Sequence, residues 1–372
     1  MNPVPEQPVT PSQRSVAEAF DFGAAIREIR PLGRGLINDT FLVVTDSPTG
    51  RHAVLQRINR RAFPQPELIA ENLRTLAEHA RLNSHSNRLR IPEIFKARDG
   101  KDFALDHDGG FWRALGYIDG CVTHQTIASQ HQAEQAGAGL GRFHALVSNL
   151  VPTRMHATRP RFHKTPAYFE RFTEVTAHVG DKLRGPELKG CAAFIEARRH
   201  IVSVLEDARE RAALTMRVIH GDPKLDNFLF DAQSGQVVSL IDLDTVQPGL
   251  IHYDVGDCLR SCANPVGESP AKLDDVRFDL DICHAILTNY LAETRHILSP
   301  SDYAYFFDAI RLIPFELGLR FLTDHLENDT YFKIEWPGQN LHRAMAQFRL
   351  TADIEAQEDR IKKLIAQVGG PT

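Results

Sequence analysis

The stretch that decides the reading of this chain is Val218-Ile219-His220-Gly221-Asp222-Pro223-Lys224-Leu225-Asp226-Asn227-Phe228-Leu229-Phe230-Asp231, followed after Ala232–Gln236 by Val237-Val238-Ser239-Leu240-Ile241-Asp242. Residues 227–231 and 237–242 read as antiparallel strands joined by a turn at Ser234-Gly235. In a hairpin the first residue of one strand lies beside the last residue of the other, so Asn227 and Asp242 are expected to meet at the open end. An amide oxygen and a carboxylate side by side are hard oxygen ligands suited to Mg²⁺. Asp222, earlier in the same loop, brings a third oxygen group to that place.

Upstream, residues 20–117 carry the pattern of a small α+β unit. Ile29–Leu32 leads into Gly33-Arg34-Gly35; Thr40–Thr45 and His52–Ile58 read as strands around a turn at Ser47-Pro48-Thr49-Gly50. Pro64-Gln65-Pro66-Glu67 opens a helix with Ile69, Leu73, Leu76 and Ala80 on one face and Glu67, Glu71, Arg74 and Glu78 on the other. Trp112–Ile118 reads as another strand, closed by Asp119-Gly120. Downstream the pattern is mainly helical, over 133–150, 166–215, 272–297, 302–327 and 340–366. Gly137-Ala138-Gly139-Leu140-Gly141 follows a helical stretch, so it predicts close helix packing, not a dinucleotide loop. Four prolines within Met1–Pro11 predict a disordered leader. The expected fold class is α+β: a leader over 1–19, a small β-rich N-terminal lobe over 20–118, and a larger, mainly helical C-terminal lobe over 119–372.

His220–Asn227 matches the pattern H-x-D-x-x-x-x-N of kinase catalytic loops, which a magnesium-binding aspartate follows. Gly221 where protein kinases carry Arg, and Ile241-Asp-Leu-Asp244 in place of Asp-Phe-Gly, resemble the aminoglycoside phosphotransferase/choline kinase superfamily. The runs 241–249, Tyr253-Asp-Val-Gly-Asp257, Gly35-Leu-Ile-Asn-Asp-Thr40, Leu317–Asp324 and Tyr331-Phe-Lys333 resemble the N-acetylhexosamine 1-kinase group within it. The resemblance spans residues 32–348.

It implies a two-lobed, protein-kinase-like fold that uses ATP and Mg²⁺. Asp222 takes the place of the base that accepts the proton of the acceptor hydroxyl, and Asn227 and Asp242 those of the magnesium ligands. Lys224 is placed to touch the transferring phosphoryl group. Gly33 and Gly35 fit a loop over the nucleotide phosphates, and Tyr117 and Ile118 a connector offering backbone groups to adenine. Kinases place a phosphate-binding Lys on the third strand, but Ala53-Val-Leu-Gln56-Arg57 has none. Either Arg57 supplies the charge or Gln56 a hydrogen bond. Glu71 resembles the helix Glu that pairs with that cation. His220 is expected to brace the loop, with Asp254 and Asp257 as supports or caps, while Asp244 stands near either magnesium or substrate. Arg320 and Tyr331 match sugar-binding positions, and Asp39 is a further candidate for substrate contact.

The function so implied is phosphorylation of a small-molecule hydroxyl, foremost the anomeric hydroxyl of an N-acetylhexosamine. An aminoglycoside, choline or another amino alcohol is the alternative acceptor. A non-catalytic nucleotide-binding scaffold is the alternative of another class, and the absent strand Lys speaks for it.

Composition narrows the partners. The 372 residues carry 43 Lys+Arg against 48 Asp+Glu, a formal charge of −5, which speaks against a nucleic-acid binder. No apolar run is long enough to span a membrane, and no signal segment is legible. Five cysteines without a C-x-x-C spacing read as reduced thiols. The expected setting is cytoplasmic, with a small-molecule substrate, no nucleic-acid or membrane partner, and a monomer or homodimer. Neither G-x-x-x-x-G-K-[ST], H-E-x-x-H nor G-x-S-x-G occurs. Asp222, Asp226, Asp242 and Asp244 crowd the place where a polyanionic nucleotide is expected, which calls for a dication there.

Overall fold

The computed structural model describes residues 11–33, 37–47, 51–83, 89–179 and 185–369. A first helix, α1 (Pro11–Glu18), precedes strands β1 (Ile26–Pro31), β2 (Asp39–Thr45) and β3 (Ala53–Ile58), helix α2 (Pro66–Leu82), and strands β4 (Ile94–Phe95), β5 (Ala104–Leu105) and β6 (Phe111–Gly116). These strands form one antiparallel sheet in the order β1-β2-β3-β6-β4, with β5 on β6.

Register decides what this sheet presents. Gln56 pairs with Arg113 and Arg57 with Trp112. Successive side chains point to opposite faces of a strand, so Gln56 and Arg113 share one face, and Arg57 and Trp112 the other. On the Trp112 face, Phe41, Val43, Ala53, Leu55 and Ala114 pack with Val16, Ala17 and Phe20. This corrects the leader expected over residues 1–19. Val16 and Ala17 of this short helix and Phe20 just after it are buried, so 11–18 belong to the fold; residues 1–10 lie outside the described residues. On the other face, Ile58, Phe111 and Leu115 join Ile69, Leu73 and Leu76 of α2 in the main core.

Beyond a short strand β7 (Cys121–Val122) the chain is mainly helical: α3 (Gln130–Val147), α4 (Thr165–Val179), α5 (Pro186–Ala197) and α6 (Val204–Glu210). Strand β8 (Arg217–Ile219), the hairpin β9 (Phe228–Asp231) and β10 (Val237–Leu240), and β11 (Gln247–Gly249) interrupt the helices. Then follow α7 (Ile251–Cys262), α8 (Leu280–Thr294), α9 (Pro300–Ala304), α10 (Phe306–Leu326), α11 (Gln339–Ala356) and α12 (Glu358–Gly369). The helical pattern over 166–215 resolves into α4, α5 and α6, and the pattern over 340–366 into α11 and α12. Gly137 and Gly141 of α3 lie against the backbone of Ile286 and Tyr290 on α8 with no room for a Cβ, and Gly139 lies against Val237 and Phe228. The glycine run therefore serves close packing, as its helical setting predicted. A second core joins α4, α5 and α6 to α10 and α11 through Phe172, Ile195, Leu205, Phe315 and Phe348. All five cysteines are free thiols. No helix among the described residues is long and apolar enough to cross a membrane.

Candidate active site

Strand β8 delivers the chain into His220-Gly221-Asp222, and the residues that pin this turn come from several elements. Gly221 has φ +86°, and the space where a Cβ would stand is filled by Thr245. Glycine is the residue that tolerates both. Asp254, in the first turn of α7, accepts from the amide of His220 at 2.7 Å and of Gly221 at 2.8 Å, and contacts His144 Nε2 at 2.9 Å. This is the supporting role expected of it. His220 is wholly buried. Its Nε2 donates to the Ile241 carbonyl (3.1 Å) and its Nδ1 accepts from the Asp222 amide (3.3 Å), so the ring is neutral and braces the loop. Burial lowers its pKa in the same sense.

Asp222 stands at the cleft with about a quarter of its side chain exposed, 2.9 Å from Lys224 Nζ. Burial works against its ionisation, but the charge and hydrogen bond of Lys224, with Arg260 beyond, outweigh burial and bring its pKa down to about 2. The Lys224 ammonium is held charged: burial opposes it, and Asp222, Asp226 and Asp242 prevail.

Asn227 and Asp242 flank the hairpin ladder rather than sitting in it. The ladder runs from Phe228 opposite Leu240, and one further bond, Ile241 N–H to the Asn227 carbonyl at 2.9 Å, brings the two positions together. Asn227 donates its side-chain NH₂ to the Asp222 carbonyl (2.7 Å) and to Asp222 Oδ2 (3.2 Å), which leaves its amide oxygen as the atom for a cation. Asp242 adopts left-handed backbone (φ 62°, ψ 55°) and presents an exposed carboxylate. The protein mass behind that carboxyl, then the Asp244 charge, push its pKa up to about 7, while Lys224 pulls the other way. Carboxylates crowded against an amide oxygen, with too little positive charge to ionise freely, fit a hard divalent cation.

The structure does not bring Arg57 to the catalytic turn. Arg57 lies on the other face of the sheet, 3.6 Å from Asp106 and over the Trp112 ring. Glu71 pairs with His156 at 2.8 Å, not with Arg57. The buried cation on the face toward the catalytic turn is Arg113, which is 2% exposed. Gln56 accepts from its Nε (3.0 Å) and Nη2 (2.7 Å), and Nη2 also pairs with Asp244. Asn38 donates to the other Asp244 oxygen at 2.7 Å. Gln56, the other candidate, is engaged by Arg113. The one legible signal was a lone charge within the apolar run Phe111-Trp-Arg-Ala-Leu115.

Gly33 ends the stretch after β1, and Gly35 lies outside the described residues. In the connector, the Tyr117 amide is already bonded to the His52 carbonyl at 2.9 Å. Ile118, half-buried, follows it.

Arg320 and Tyr331 belong to one aromatic cluster. Arg320 lies over Phe162, Tyr168 and Phe332 at 5.1–5.5 Å, close enough to Asp222 for the charges to interact. Arg159, which sequence reasoning missed, lies 4.2 Å over Phe162 and donates to the Tyr331 hydroxyl at 2.7 Å. Among the described residues no carboxylate pairs with Arg159 or Arg320. Asp39 is exposed and reaches Lys333 at 3.8 Å.

A strand-rich sheet and a helical region meeting at an Asp-Lys-Asn-Asp cluster define an enzyme of the phosphoryl-transfer class. The phosphotransferase enzyme family model matches residues 28–282. That is more than half of the chain, and the chain belongs to this family. The small-molecule kinase expected from the catalytic loop stands on that membership. The fold is similar to an aminoglycoside phosphotransferase from Alicyclobacillus acidocaldarius (TM-score 0.63, 16% identity, 96% of this chain and 98% of that one). It is also similar to a microcompartment-associated aminopropanol kinase (0.56, 15%, 90% and 93%) and to choline kinase from Cryptosporidium parvum (0.56, 13%, 91% and 91%). The α+β, kinase-like architecture is thereby shown.

Proposed function

We propose that the protein transfers the γ-phosphoryl group of ATP to a hydroxyl of a neutral sugar, foremost the anomeric hydroxyl of an N-acetylhexosamine. The observation that carries the reading is the convergence of Asp222, Lys224, Asn227 and Asp242 at one turn, with Arg320, stacked over Phe162, within reach of the Asp222 charge.

Asp222, ionised at neutral pH, orients the acceptor hydroxyl and takes its proton as the bond to phosphorus forms. A carboxylate with a pKa near 2 is a weak base. In a loose phosphoryl-transfer transition state that suffices, because positioning and charge neutralisation dominate. An anomeric hydroxyl, more acidic than an ordinary alcohol, lowers the demand further. Lys224 neutralises charge on the transferring oxygens. Asn227 and Asp242 would hold Mg²⁺, which supplies neutralisation of the nucleotide phosphates.

The acceptor wall, Arg159 and Arg320 over Phe162, supports a neutral substrate. The kinases of similar fold are named for aminoglycoside, aminopropanol and choline, and such amines call for acidic partners. Here two acids behind the wall are engaged: Glu316 with His163 and Thr165, and Asp257, through one oxygen, with Arg260. Arg159 and Arg320 instead offer forked donors to hydroxyl and carbonyl oxygens. The test is ATP consumption over N-acetylhexosamines, amino alcohols and aminoglycosides. Turnover confined to sugars is expected; turnover confined to amines overturns the acceptor assignment.

A further inference from the structure

His163 is a buried residue, 4% exposed, with left-handed backbone (φ 56°). Its two ring nitrogens face two acceptors. Nδ1 lies 3.0 Å from Glu316 Oε1 of α10, and Nε2 lies 2.7 Å from the carbonyl oxygen of Gly221. Neither a carboxylate nor a carbonyl can donate, and a neutral imidazole carries one N–H only. Both contacts are therefore hydrogen bonds only when the ring holds two protons. The second Glu316 oxygen accepts from the Thr165 hydroxyl at 2.8 Å, so that carboxylate is fully engaged.

The bond to Gly221 acts on the neighbouring residue. The peptide unit joining Gly221 to Asp222 has its carbonyl on His163 and its N–H on His220 Nδ1. Two histidines of opposite charge state thus fix the plane from which the Asp222 side chain departs. On its other side His163 follows Phe162, the ring beneath Arg159 and Arg320. The segment that carries the acceptor wall and the strut behind the base are one piece of chain.

We propose that His163 is a positioning residue that aims Asp222 only while it is doubly protonated, so that turnover falls as pH rises through its titration. This rests on the reading of Asp222 as the base. The groups packed against the ring act in the same direction. Burial disfavours the imidazolium, but the charge and hydrogen bond of Glu316 outweigh it, and Asp257 of α7 and the Gly221 carbonyl add to them. Asp257 itself is paired with Arg260 at 2.7 Å. Tyr253 of α7 stacks on the imidazole at 5.4 Å between centroids. The pKa is raised, which places the loss on the alkaline side of the profile. Once the second proton leaves, one of the two contacts becomes a meeting of two acceptors, and the tie from Glu316 through the ring to the Gly221–Asp222 peptide is broken.

Glu316→Gln tests this without emptying the site. The amide oxygen can still accept from His163 and the amide nitrogen can donate to Thr165, so packing is kept while the charge goes. The alkaline limb of the kcat profile is expected to move to lower pH by about one unit or more, with the plateau below it preserved. His163→Phe, which keeps a ring but no donor, is expected to lower kcat on the order of tenfold or more at pH below the wild-type alkaline limb and to remove that limb, with KM for ATP nearly unchanged. Nitrogen NMR of the wild-type histidine ring supplies a readout independent of turnover: both nitrogens protonated at neutral pH. A neutral ring there, or a limb that stays in place in Glu316→Gln, overturns the proposal. Protonated nitrogens together with full activity of Asp222→Asn would overturn the reading of the base, and with it the positioning role, while the charge state stands.

Discussion

Two buried charged ties reach the catalytic turns from opposite sides, and they differ in one property. On the sheet side, Arg113 joins Gln56 to Asp244, two residues beyond Asp242. On the helical side, His163 joins Glu316 to Gly221, next to Asp222. Both anchor a turn to rigid elements through a cation that is almost wholly buried. An arginine keeps its charge at any ordinary pH, whereas a histidine titrates within the working range. On the roles proposed above, the side of Asp242 is therefore held by a charge that does not titrate and the side of Asp222 by one that does.

The largest effect expected lies between the two ties. Asp222→Asn should fold as wild type, by thermal melting, and lose on the order of 10²–10⁴ in kcat. Next comes the permanent tie. Arg113→Met leaves the Asp244 carboxylate buried without its cation, and breaking such a pair costs about 3–5 kcal/mol. Denaturant unfolding should show that loss, and Asp244→Asn in the same chain should recover part of it. A full cost that remains in the double variant would assign the loss to packing instead.

The pH dependence sharpens the contrast. The folded pKa of His163 lies above its unfolded value near 6.5. The stability it contributes is thus complete below about pH 6.5 and is lost as pH rises through the raised value. The destabilisation caused by Glu316→Gln should shrink over that rise, whereas that caused by Arg113→Met should grow as pH rises through about 7, because Arg113 is one of the charges that favour ionised Asp242. Equal slopes in the two variants would abolish the distinction. The smallest effect belongs to Arg57, whose own side chain is partly exposed on the other sheet face and whose partner Asp106 keeps its bonds from Gly110 and Trp112. Arg57→Ala should cost less than about 1 kcal/mol and leave KM for ATP unchanged.

What could be read from the sequence follows the same division. Asp222, Asn227 and Asp242 were legible because a loop and one hairpin bring them together, and strand pattern and turn chemistry specify a hairpin locally. The sheet and α2 were legible from alternation and from the stripe Ile69-Leu73-Leu76. Both ties were hidden because they join distant segments: His163 and Glu316 are 153 residues apart. The face that Arg57 occupies was not legible. Arg57 and Gln56 are neighbours in sequence, yet pleating sends them to opposite faces, and the buried cation, Arg113, comes from the paired strand. Helix α1 was missed because the prolines before it outweighed the short apolar set Val16, Ala17 and Phe20. Arg159 was missed because nothing local marks an arginine that stacks on a ring three residues ahead of it.

The most direct test of the account is phosphorus NMR of a reaction of the wild-type protein with ATP, Mg²⁺ and an N-acetylhexosamine, run beside Asp222→Asn. The account predicts a sugar phosphate with its phosphorus coupled to the anomeric proton in the first tube, and ATP left unconsumed over the same time in the second. Equal product in both tubes, or ATP turned over by the wild type only when an amine replaces the sugar, would contradict it.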